Sequence, residues 1–560
     1  MTSRLRFSYD RGELNLKQKI RLPALLVLLL ILALAAVLRL QHIRADPPPN
    51  LVHLTNSAGI YFDEAMYAHN ARNKALFGVW MTDDWNPLLY NAVLTGIYYL
   101  GFELVGVSIV TVKVITILFG LLGVLFLYLA VRRYLSESFA LGIAFLLAID
   151  FYWTMYNRIG LLENFSTLIF IVSYYFLVGA EEKPRQMVLV GVFAALVALS
   201  KYLFFYFVLS AGLAVAHQAW MRKRWAAMWK YLAGVLAVVS VWFFSIFLPL
   251  ASSFRKIGSG WMDLSWPESV GKVFFNIYRN NLHRYMNLIP VLFIAGLLFA
   301  AMVLVKTGKS NPPPDIREMF VFLWIAGTFL QMAILNYQPL RYYLNIVPGL
   351  FIALSLAVKE KGWLRAHARS VLWLFLPLAA LFYKFWIGLV KYPSAFFVYN
   401  LTAVRILVYA AVILVFLNWW KGGRHEKASF IFIAAVLAAS SLTVYYTQFY
   451  RRPVYRVQSA ANQLRQLPPG TVVMGNEAPR LALETGFKLF PAFEGWFNDE
   501  DPFRSQRPTH LLTLDKYWGG EIAWIRRRFP EIAARLNLIR RFPLWDTTVS
   551  LYRVNYPENY

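Results

Sequence analysis

The chain has 560 residues, of which 59% are hydrophobic and 17% aromatic, while only 15% are charged. This composition excludes an ordinary soluble globular protein and is typical of a protein that crosses a membrane many times. The formal net charge of +26 does not indicate nucleic-acid binding, because the basic residues stand in short clusters between apolar runs. Cysteine is absent, which excludes disulfides and thiolate metal sites.

The first apolar run predicts an uncleaved membrane span with a cytoplasmic N-terminus. Arginines and lysines precede it within residues 1–21, and the run continues to Leu38. It is too long for the core of a signal peptide, and no small-residue cleavage site follows it. Positive charge beside a span favours the cytoplasmic side.

Thirteen apolar runs approach the roughly 17–25 residues that a transmembrane helix needs. They lie near residues 22–40, 109–131, 138–155, 162–179, 187–200, 202–219, 231–250, 287–305, 319–337, 342–358, 371–390, 400–420 and 428–446. We therefore predict a polytopic α-helical membrane protein with about 13 spans.

Residues 88–107 form a further apolar run, which we predict to lie along the outer interface. If this run crossed the membrane, the basic clusters at 221–224 and 359–369 would lie on the outer side. If it lies flat, those clusters share the cytoplasmic side with the N-terminus. Asn91 and Glu103 also suit an interfacial helix. We therefore predict a multi-pass protein of the cytoplasmic (inner) membrane.

The residues after the last span predict a small soluble domain, because hydropathy falls and turn residues become frequent. Strands are predicted at 471–474, 510–514 and 549–554. Helices are predicted at 478–485 and 520–537.

The chain thus divides into two predicted domains. The transmembrane domain covers 1–446, and its outer loop at 41–108 carries an acidic motif. An extracytoplasmic α/β domain covers 447–560. The predicted fold class is an α-helical polytopic membrane protein with a small C-terminal α/β domain.

The acidic motif consists of two adjacent carboxylates, Asp63 and Glu64, just beyond the first span. Asp63 is well placed to open a helix that stops at Gly78, because acidic residues favour the first turn and glycine favours the end. Asp63, Tyr67 and Asn70 would then share one helix face. This face is a candidate for chemistry at the outer side of the membrane.

A second acidic site is predicted on the same side. Arg158 and Glu163 flank a short turn between two predicted spans. One interpretation is a salt bridge that caps two helix ends, and the other is a functional carboxylate. Two acidic sites without a His/Cys cluster suit a general base with a supporting carboxylate, or a hard divalent cation bound by oxygens.

Lys201 and Arg341 are isolated positive charges at the outer boundary, where the positive-inside bias would not place them. For each, the structural alternative is a side chain that snorkels to the interface. Together they suit an anionic headgroup such as a phosphate, because arginine binds phosphate oxygens in pairs and lysine acts as a point charge.

Metal binding is left open, with a divalent ion as the possible cofactor and Glu64 and His69 as its candidate ligands. His53 and His69 stand near Asp63, but no paired His or Glu follows at ligand spacing. The alternative is that both histidines are hydrogen-bonded within the protein or exposed to water. Glu477 and Glu484 in the soluble domain are interpreted as ordinary surface charges.

The order of these residues resembles that of the GT-C glycosyltransferases. The branch it resembles most is family 39 with its bacterial relatives, which include the protein O-mannosyltransferases and the lipid A aminoarabinose transferase. The resemblance covers about residues 20–350. Its landmarks are Asp63-Glu64 with Tyr67, Ala68 and Arg72, the segment Asn86-Pro87-Leu88, Arg158 with Glu163, Ser200-Lys201, and Arg341-Tyr342-Tyr343 with Pro348.

The resemblance implies an inverting glycosyltransferase that moves a sugar, hexosyl or pentosyl, from a polyprenyl-phosphate-linked donor to a lipid, glycan or protein. Asp63 would be the general base, and Glu163 the second acidic residue. The donor phosphate and its lipid would contact Lys201, Arg341, Tyr67, Tyr343 and Arg158. The expected partners are this donor, an acceptor that the sequence does not identify, and membrane lipids, without nucleic acid.

Two residues depart from the family pattern. Asn86 stands where His or Lys followed by Pro-Pro is common, and Met66 stands where the aminoarabinose branch often has Arg. The alternative function is a polyprenyl-glycan flippase or secondary transporter. Such a protein should carry charged residues or Gly/Pro helix breaks near the middle of its spans, at corresponding positions in two halves of the chain. A non-catalytic membrane scaffold is a third interpretation, because Asn86 replaces a residue that is commonly basic in the family.

Overall fold

The computed structural model describes residues 20–46, 60–254, 269–276, 290–309, 313–335, 339–381, 426–446, 450–514, 521–544, 547–558 and 560. Within these ranges, seven helices are long and apolar enough to cross a membrane: Leu22–Leu40, Ile109–Val131, Leu162–Ala180, Tyr202–Arg222, Ala226–Phe247, Ile316–Ile334 and Arg341–Lys359. The bent pair Glu137–Ile149 and Phe151–Asn157 makes eight if it is one span.

The N-terminal part of the described chain is helical. Its helices are α1 (Leu22–Leu40), α2 (Ile60–Met66), α3 (His69–Phe77), α4 (Ala92–Val105), α5 (Ile109–Val131), α6 (Glu137–Ile149), α7 (Phe151–Asn157), α8 (Leu162–Ala180), α9 (Gln186–Ser200), α10 (Phe205–Arg222), α11 (Ala226–Trp242), α12 (Val270–Phe275), α13 (Pro290–Lys309), α14 (Ile316–Ile334), α15 (Ile346–Lys359), α16 (Lys361–Ala366), α17 (Ala368–Leu381) and α18 (Glu426–Tyr445). Single turns of 3-10 helix lie at Pro87–Leu89, Tyr202–Phe204 and Leu340–Tyr343, and a π-helical turn lies at Phe243–Phe247.

The predicted number of 13 spans is not confirmed. Most predicted runs coincide with a helix, but α9 has only 15 residues, and the apolar part of α13 is Ala295–Gly308. The run 371–390 is described only as far as Leu381, and the run 400–420 lies outside the described residues. An apolar run marks residues that tolerate lipid or a protein core, so it does not by itself measure the length of a membrane-crossing helix.

The predicted interfacial segment 88–107 forms a 3-10 turn and then α4, which has 14 residues. Such a helix is about 21 Å long, shorter than the roughly 30 Å hydrocarbon core of a bilayer. Length alone does not decide whether α4 crosses, because α9 is only one residue longer. Leu94, Tyr98 and Phe102 form a buried face, while Leu100 and Leu104 are exposed.

A topology reporter fused after Gly106 is expected to show the outer face, because an interfacial α4 leaves the chain on the side where α1 ends. The matched control is the same reporter fused after Arg224, in a basic turn that we expect on the cytoplasmic side. Protease accessibility in intact cells measures both fusions. A cytoplasmic signal after Gly106 would mean that α4 crosses the membrane.

Helix α8 lies at the centre of the helical part, with 17 of its 19 residues buried. It packs against α5, α9 and α14. The Phe170 ring lies 3.8 Å from the Phe207 ring and 5.1 Å from the Trp324 ring, measured between centroids. This aromatic packing ties α8 to α10 and α14, and so fixes where the first turn of α8 presents Glu163.

The C-terminal part is a small α/β domain built on a mixed sheet. Its strands are β1 (Val472–Met474), β2 (Lys488–Phe490), β3 (His510–Leu514), β4 (Leu536–Leu544) and β5 (Thr547–Val554), in the order β2-β1-β3-β5-β4. β1 is parallel to β2 and β3, and β5 is antiparallel to β3 and β4. Its helices are α19 (Arg456–Leu464), α20 (Ala478–Leu481), α21 (Pro502–Ser505), α22 (Glu521–Arg528) and α23 (Pro530–Ala533).

The three predicted strands form β1, β3 and β5, whereas the sequence pattern missed β2 and β4. The predicted helix at 520–537 ends earlier than expected, because α22 stops at Arg528 and β4 begins at Leu536. Arginines and a proline weaken the strand signal of β4. Its pairing with β5 from Leu536 to Leu544 makes it a strand nonetheless.

The small domain is docked onto α3. The Arg72 guanidinium of α3 donates hydrogen bonds to the carbonyl oxygens of Leu483, Thr485 and Phe487, at 2.8, 2.7 and 2.8 Å. Asp46, just after α1, accepts hydrogen bonds from two backbone N–H groups at the start of α19. Because a buried arginine with three acceptors is costly to separate from them, the domain is held against this segment.

Candidate active site

The predicted helix from Asp63 to Gly78 is broken in two. α2 ends at Met66 and α3 begins at His69, so Tyr67 lies in the turn between them. The predicted stop is present, because Gly78 follows α3 with a left-handed φ of +75°. The break lets α2 meet the helical part through Asp63 while α3 binds the small domain.

Four charged side chains meet where α2 approaches the helix ends. Arg341 Nη2 lies 2.7 Å from Asp63 Oδ2, and Arg341 Nε lies 3.3 Å from Glu163 Oε1. Lys201 Nζ lies 2.5 Å from the same oxygen of Glu163. The Glu163, Arg341 and Lys201 side chains are 0%, 5% and 7% exposed, and that of Asp63 is 14% exposed. We call these residues the four-charge cluster.

The cluster is assembled from breaks between helices. Glu163 lies in the first turn of α8, where the helix dipole favours a negative charge. Lys201 has an extended backbone between α9 and the following 3-10 turn. Arg341 lies in the 3-10 turn that precedes α15. All three therefore come from the same end of the helical part, as the sequence predicts for the outer side.

Burial raises the pKa of Asp63 to about 6, against the opposing effect of the Arg341 charge. The negative charge of Glu163 raises this pKa further, and the positive charge of Lys201 lowers it. Asp63 therefore titrates close to neutral pH, and above that pKa it is an ionised carboxylate. A carboxylate with a pKa near the working pH is suited to accept a proton.

The Tyr342 ring lies against both cations of the cluster, 5.3 Å from Arg341 Cζ to the ring centroid. Lys201 Nζ lies 3.8 Å from the centroid of the Tyr342 ring. Tyr343 is 1% exposed and Tyr67 is 8% exposed. Burial, together with the charges of Asp63 and Glu163, raises the pKa of Tyr67 well above its ordinary value. The Tyr67 hydroxyl therefore stays protonated beside the carboxylates.

Arg158 does not pair with Glu163 but holds the end of α1. Its Nη1 donates hydrogen bonds to the carbonyl oxygens of Leu38 and Arg39, both at 3.0 Å, and its Nη2 donates to that of His42 at 3.0 Å. The carbonyl groups of Leu38 and Arg39 belong to the last turn of α1, whose final carbonyl groups lack a partner within the helix, so the cation satisfies them.

Glu64 points away from the cluster to another set of partners. Its Oε1 accepts a hydrogen bond from the Gly160 backbone N–H at 3.0 Å and lies 3.9 Å from Lys113 Nζ. A Cβ at position 160 would overlap the side chains of Val112 and Glu64, so only glycine permits this approach.

The candidate metal ligands have partners of their own. His69 Nε2 lies 2.6 Å from Asp83 Oδ2 and 3.1 Å from Asn73 Nδ2. Among the described residues, no three of His, Asp or Glu converge as the ligands of a metal ion would. Glu64 and His69 are thus each engaged by different partners, Gly160 and Lys113 for Glu64 and Asp83 and Asn73 for His69.

Residues 89–247 match the sequence model of the dolichyl-phosphate-mannose-protein mannosyltransferase family. No curated protein sequence matches the chain. Among solved structures, ArnT from Cupriavidus metallidurans bound to undecaprenyl phosphate matches with a TM-score of 0.54 at 15% identity, over 94% of this chain and 97% of that chain. The chain has a GT-C glycosyltransferase fold. The resemblance noted in the sequence is thereby confirmed.

ArnT from the same organism in the apo state matches equally well, with a TM-score of 0.54 at 14% identity, over 94% of this chain and 97% of that chain. A weaker likeness, with a TM-score of 0.45 at 12% identity, links the chain to the oligosaccharyltransferase AglB from Archaeoglobus fulgidus in complex with an inhibitory peptide and a dolichol-phosphate. That match covers 88% of this chain and 69% of that chain.

The Asn86 departure from the GT-C pattern has a structural explanation. Asn86 is 3% exposed, and its Oδ1 accepts a hydrogen bond from Asn70 Nδ2 at 2.9 Å. Its Nδ2 donates to the Asp83 carbonyl oxygen at 2.7 Å. The amide therefore ties α3 to the segment that precedes α4. A longer basic side chain would lose both hydrogen bonds and would need a charge partner.

One carboxylate was missed by the sequence reasoning. Glu477 was expected on the surface, but it is only 3% exposed, in front of α20, which packs against α2 of this GT-C fold. Its local sequence is that of an ordinary polar turn, so no periodicity marks it. Glu484, the other expected surface charge, accepts hydrogen bonds from the Ser108 hydroxyl at 2.7 Å and the Ile109 backbone N–H at 3.0 Å.

Proposed function

We propose that this protein is an inverting glycosyltransferase at the outer face of the cytoplasmic membrane. It moves a hexosyl or pentosyl group from a polyprenyl-phosphate-linked donor to a lipid, glycan or protein. The observation that carries the proposal is the four-charge cluster, in which one buried acid pairs with two cations and a second acid titrates near neutral pH. The undecaprenyl phosphate bound to ArnT of the same fold supports this donor class.

Arg341 and Lys201 are proposed to bind the donor phosphate. As the bond between the sugar and the phosphate breaks, negative charge grows on the phosphate oxygens, and two fixed cations stabilise it. Arginine donates through a planar fork that fits two phosphate oxygens, and lysine adds a point charge. Tyr67 and Tyr343 are proposed to line this phosphate site.

Asp63 is the proposed general base. It accepts the proton of the acceptor nucleophile as that atom attacks the sugar from the side opposite the phosphate, which inverts the anomeric carbon. Asp63 is now paired with Arg341 at 2.7 Å, so a bound phosphate competes with it for the guanidinium. Donor binding would thereby release Asp63 to act as a base only when a donor is in place.

Glu163 is proposed to hold the two cations rather than to touch the sugar. Its Oε1 contacts both Lys201 and Arg341, and its side chain is fully buried. Without this carboxylate, two like charges would lie close together in a site with little water, which is unfavourable. Arg158, which binds the end of α1, is not assigned to the donor.

Mass spectrometry of the cell envelope tests the proposal. A strain that lacks the gene is expected to lose one sugar from its envelope lipids, glycans or proteins, and to accumulate the corresponding polyprenyl-phosphate sugar. Restoring the wild-type gene should reverse both changes. An envelope in which no sugar is missing and no lipid-linked sugar accumulates would contradict the proposal.

A further inference from the structure

Four buried polar atoms at the start of α4 have no hydrogen-bond partner among the described residues. They are both amide atoms of Asn91, the hydroxyl of Thr95 and the hydroxyl of Tyr90. Asn91 is 2% exposed and Thr95 is 1% exposed. Buried polar groups are nearly always hydrogen-bonded, and one left without a partner is costly. Three such side chains so close along the chain indicate that a ligand completes their hydrogen bonds.

Asn91 and Thr95 lie on the buried face of α4. Asn91 immediately precedes the helix, but its side chain makes no capping hydrogen bond, although asparagine often caps a helix. Thr95 lies one turn further along the same face, and Tyr98 continues it. The Tyr98 hydroxyl lies 3.5 Å from the carbonyl oxygen of Gly160, which stands three residues before Glu163. This end of the face therefore meets the segment that leads to a carboxylate of the four-charge cluster.

The other end of the same face is tied to α2, the helix that carries Asp63. The Tyr90 ring packs edge-on against the Trp85 ring, with centroids 6.0 Å apart. The Trp85 indole N–H donates to the carbonyl oxygen of Met66, the last residue of α2, at 3.0 Å. The unpartnered groups of α4 therefore lie along a face whose two ends contact the α2 helix and the turn before Glu163.

The unpartnered groups suit a ligand that carries several hydroxyl groups. An asparagine amide donates through its nitrogen and accepts through its oxygen, and the threonine and tyrosine hydroxyls can do both. Burial, together with Tyr202 and the charge of Asp63, raises the pKa of Tyr90 well above its ordinary value, so its hydroxyl stays protonated. The three side chains are therefore uncharged, and their mixture of donors and acceptors fits sugar hydroxyl groups.

The carboxylates nearby argue against a sugar with an amino group. A buried ammonium group needs a carboxylate of its own. Glu163 already contacts both Lys201 and Arg341. Asp63 is paired with Arg341, and once a donor phosphate takes that guanidinium, Asp63 is needed as the base. Neither acid is thus available to a positively charged sugar.

We propose that Tyr90, Asn91 and Thr95 bind the hydroxyl groups of the donor sugar, and that this sugar is an uncharged hexose or pentose. The inference rests on the proposed function and adds to it the class of sugar and the residues that select it. Tyr90 is partly exposed, whereas Asn91 and Thr95 are buried. The sugar therefore reaches the two buried side chains past the Tyr90 hydroxyl.

Thermal unfolding of the purified full-length protein without lipid gives the first readout. Thr95→Val and Asn91→Leu each replace an unpartnered polar group by an apolar one of similar size, so we expect the unfolding temperature to rise by about 1–2 °C. The matched control is Thr307→Val, which removes a hydroxyl that already donates to the Val303 carbonyl oxygen at 2.9 Å and should give no rise. A lower unfolding temperature for both α4 variants would mean that the groups stabilise the fold, and would overturn the inference.

Lipid binding gives the second readout, measured as protection against thermal unfolding. One probe is undecaprenyl phosphate, which has no sugar, and the other is the polyprenyl-phosphate sugar extracted from a strain that lacks the gene. Thr95→Val is expected to bind the sugar-bearing lipid about 3–10-fold more weakly, the effect of losing a neutral hydrogen bond, and to bind undecaprenyl phosphate like the wild type. Thr307→Val should bind both probes like the wild type. Equal losses for the two probes, or no loss for either, would overturn the inference.

Mass spectrometry of the extracted lipid identifies its sugar, which is expected to be a hexose or pentose without an amino or acid group. A charged sugar would overturn the inference while leaving the proposed function intact. A strain that accumulates no lipid-linked sugar would overturn the proposed function, and the inference with it.

Discussion

The Asp63→Asn variant is expected to lose sugar transfer, by roughly 10²–10⁴-fold in kcat, the usual contribution of a general base. Asparagine keeps the size of the side chain but cannot accept the acceptor proton. Arg341 keeps its contact with Glu163 in this variant, so the protein should still fold and accumulate in membranes. Transfer is measured in membranes supplied with the polyprenyl-phosphate sugar, beside the amount of folded protein.

The matched control is Glu103→Gln, which removes an exposed carboxylate on α4 and should leave transfer unchanged. The pH dependence gives a second check. Because Asp63 acts as a base only when ionised, wild-type transfer should fall as the pH drops below its pKa of about 6. Near-normal transfer by Asp63→Asn, or a rate that does not fall in acid, would remove Asp63 from the role of base.

The Arg341→Lys variant is expected to bind undecaprenyl phosphate weakly and to lose roughly 10²–10³-fold in kcat/KM, as for removal of one donor that stabilises a growing negative charge. Lysine keeps the charge but not the planar fork, so it cannot bridge Asp63 and Glu163 as the guanidinium does at 2.7 and 3.3 Å. Protection against thermal unfolding by added undecaprenyl phosphate measures the binding.

Lysine is chosen over alanine at position 341 because truncation would leave Asp63 without its cation, which destabilises a buried pair by about 3–5 kcal/mol. Arg222→Lys, at the far end of α10, is the matched control and should bind undecaprenyl phosphate like the wild type. If Arg341→Lys retains wild-type affinity and kcat/KM, then the donor phosphate is bound elsewhere.

Local structure follows the sequence closely where a single segment decides it. α1 and α5 begin and end at the residues that bound the apolar runs, and α3 stops at the glycine that the sequence marks. The strands β1, β3 and β5 form where alternation and turn residues predicted them. Each of these features depends on neighbours in the chain, whose side chains and backbone preferences are visible in the sequence.

Features that need a distant partner were predicted less well. β4 is a strand because β5 pairs with it, although its arginines and proline argue for a loop or a helix end. A salt bridge between Arg158 and Glu163 was one of two interpretations of the sequence, but the Arg158 guanidinium donates to carbonyl oxygens at the end of α1. Closeness along the chain indicates that two charged residues lie at the same membrane face, but it does not determine which side chain or backbone group each one contacts.

The acidic motif Asp63-Glu64 shows the same division. The sequence by itself determined that Asp63 and Glu64 follow the first apolar run, that Glu163, Lys201 and Arg341 stand at ends of such runs, and that the chain is a membrane protein. Only the tertiary structure decided that Asp63 meets Arg341 while Glu64 turns to Gly160. It alone brought Glu477 of the small domain to the α2 segment. The reason is physical: hydropathy and charge determine where a residue lies across the membrane, but which side chains touch depends on how separate helices and domains pack.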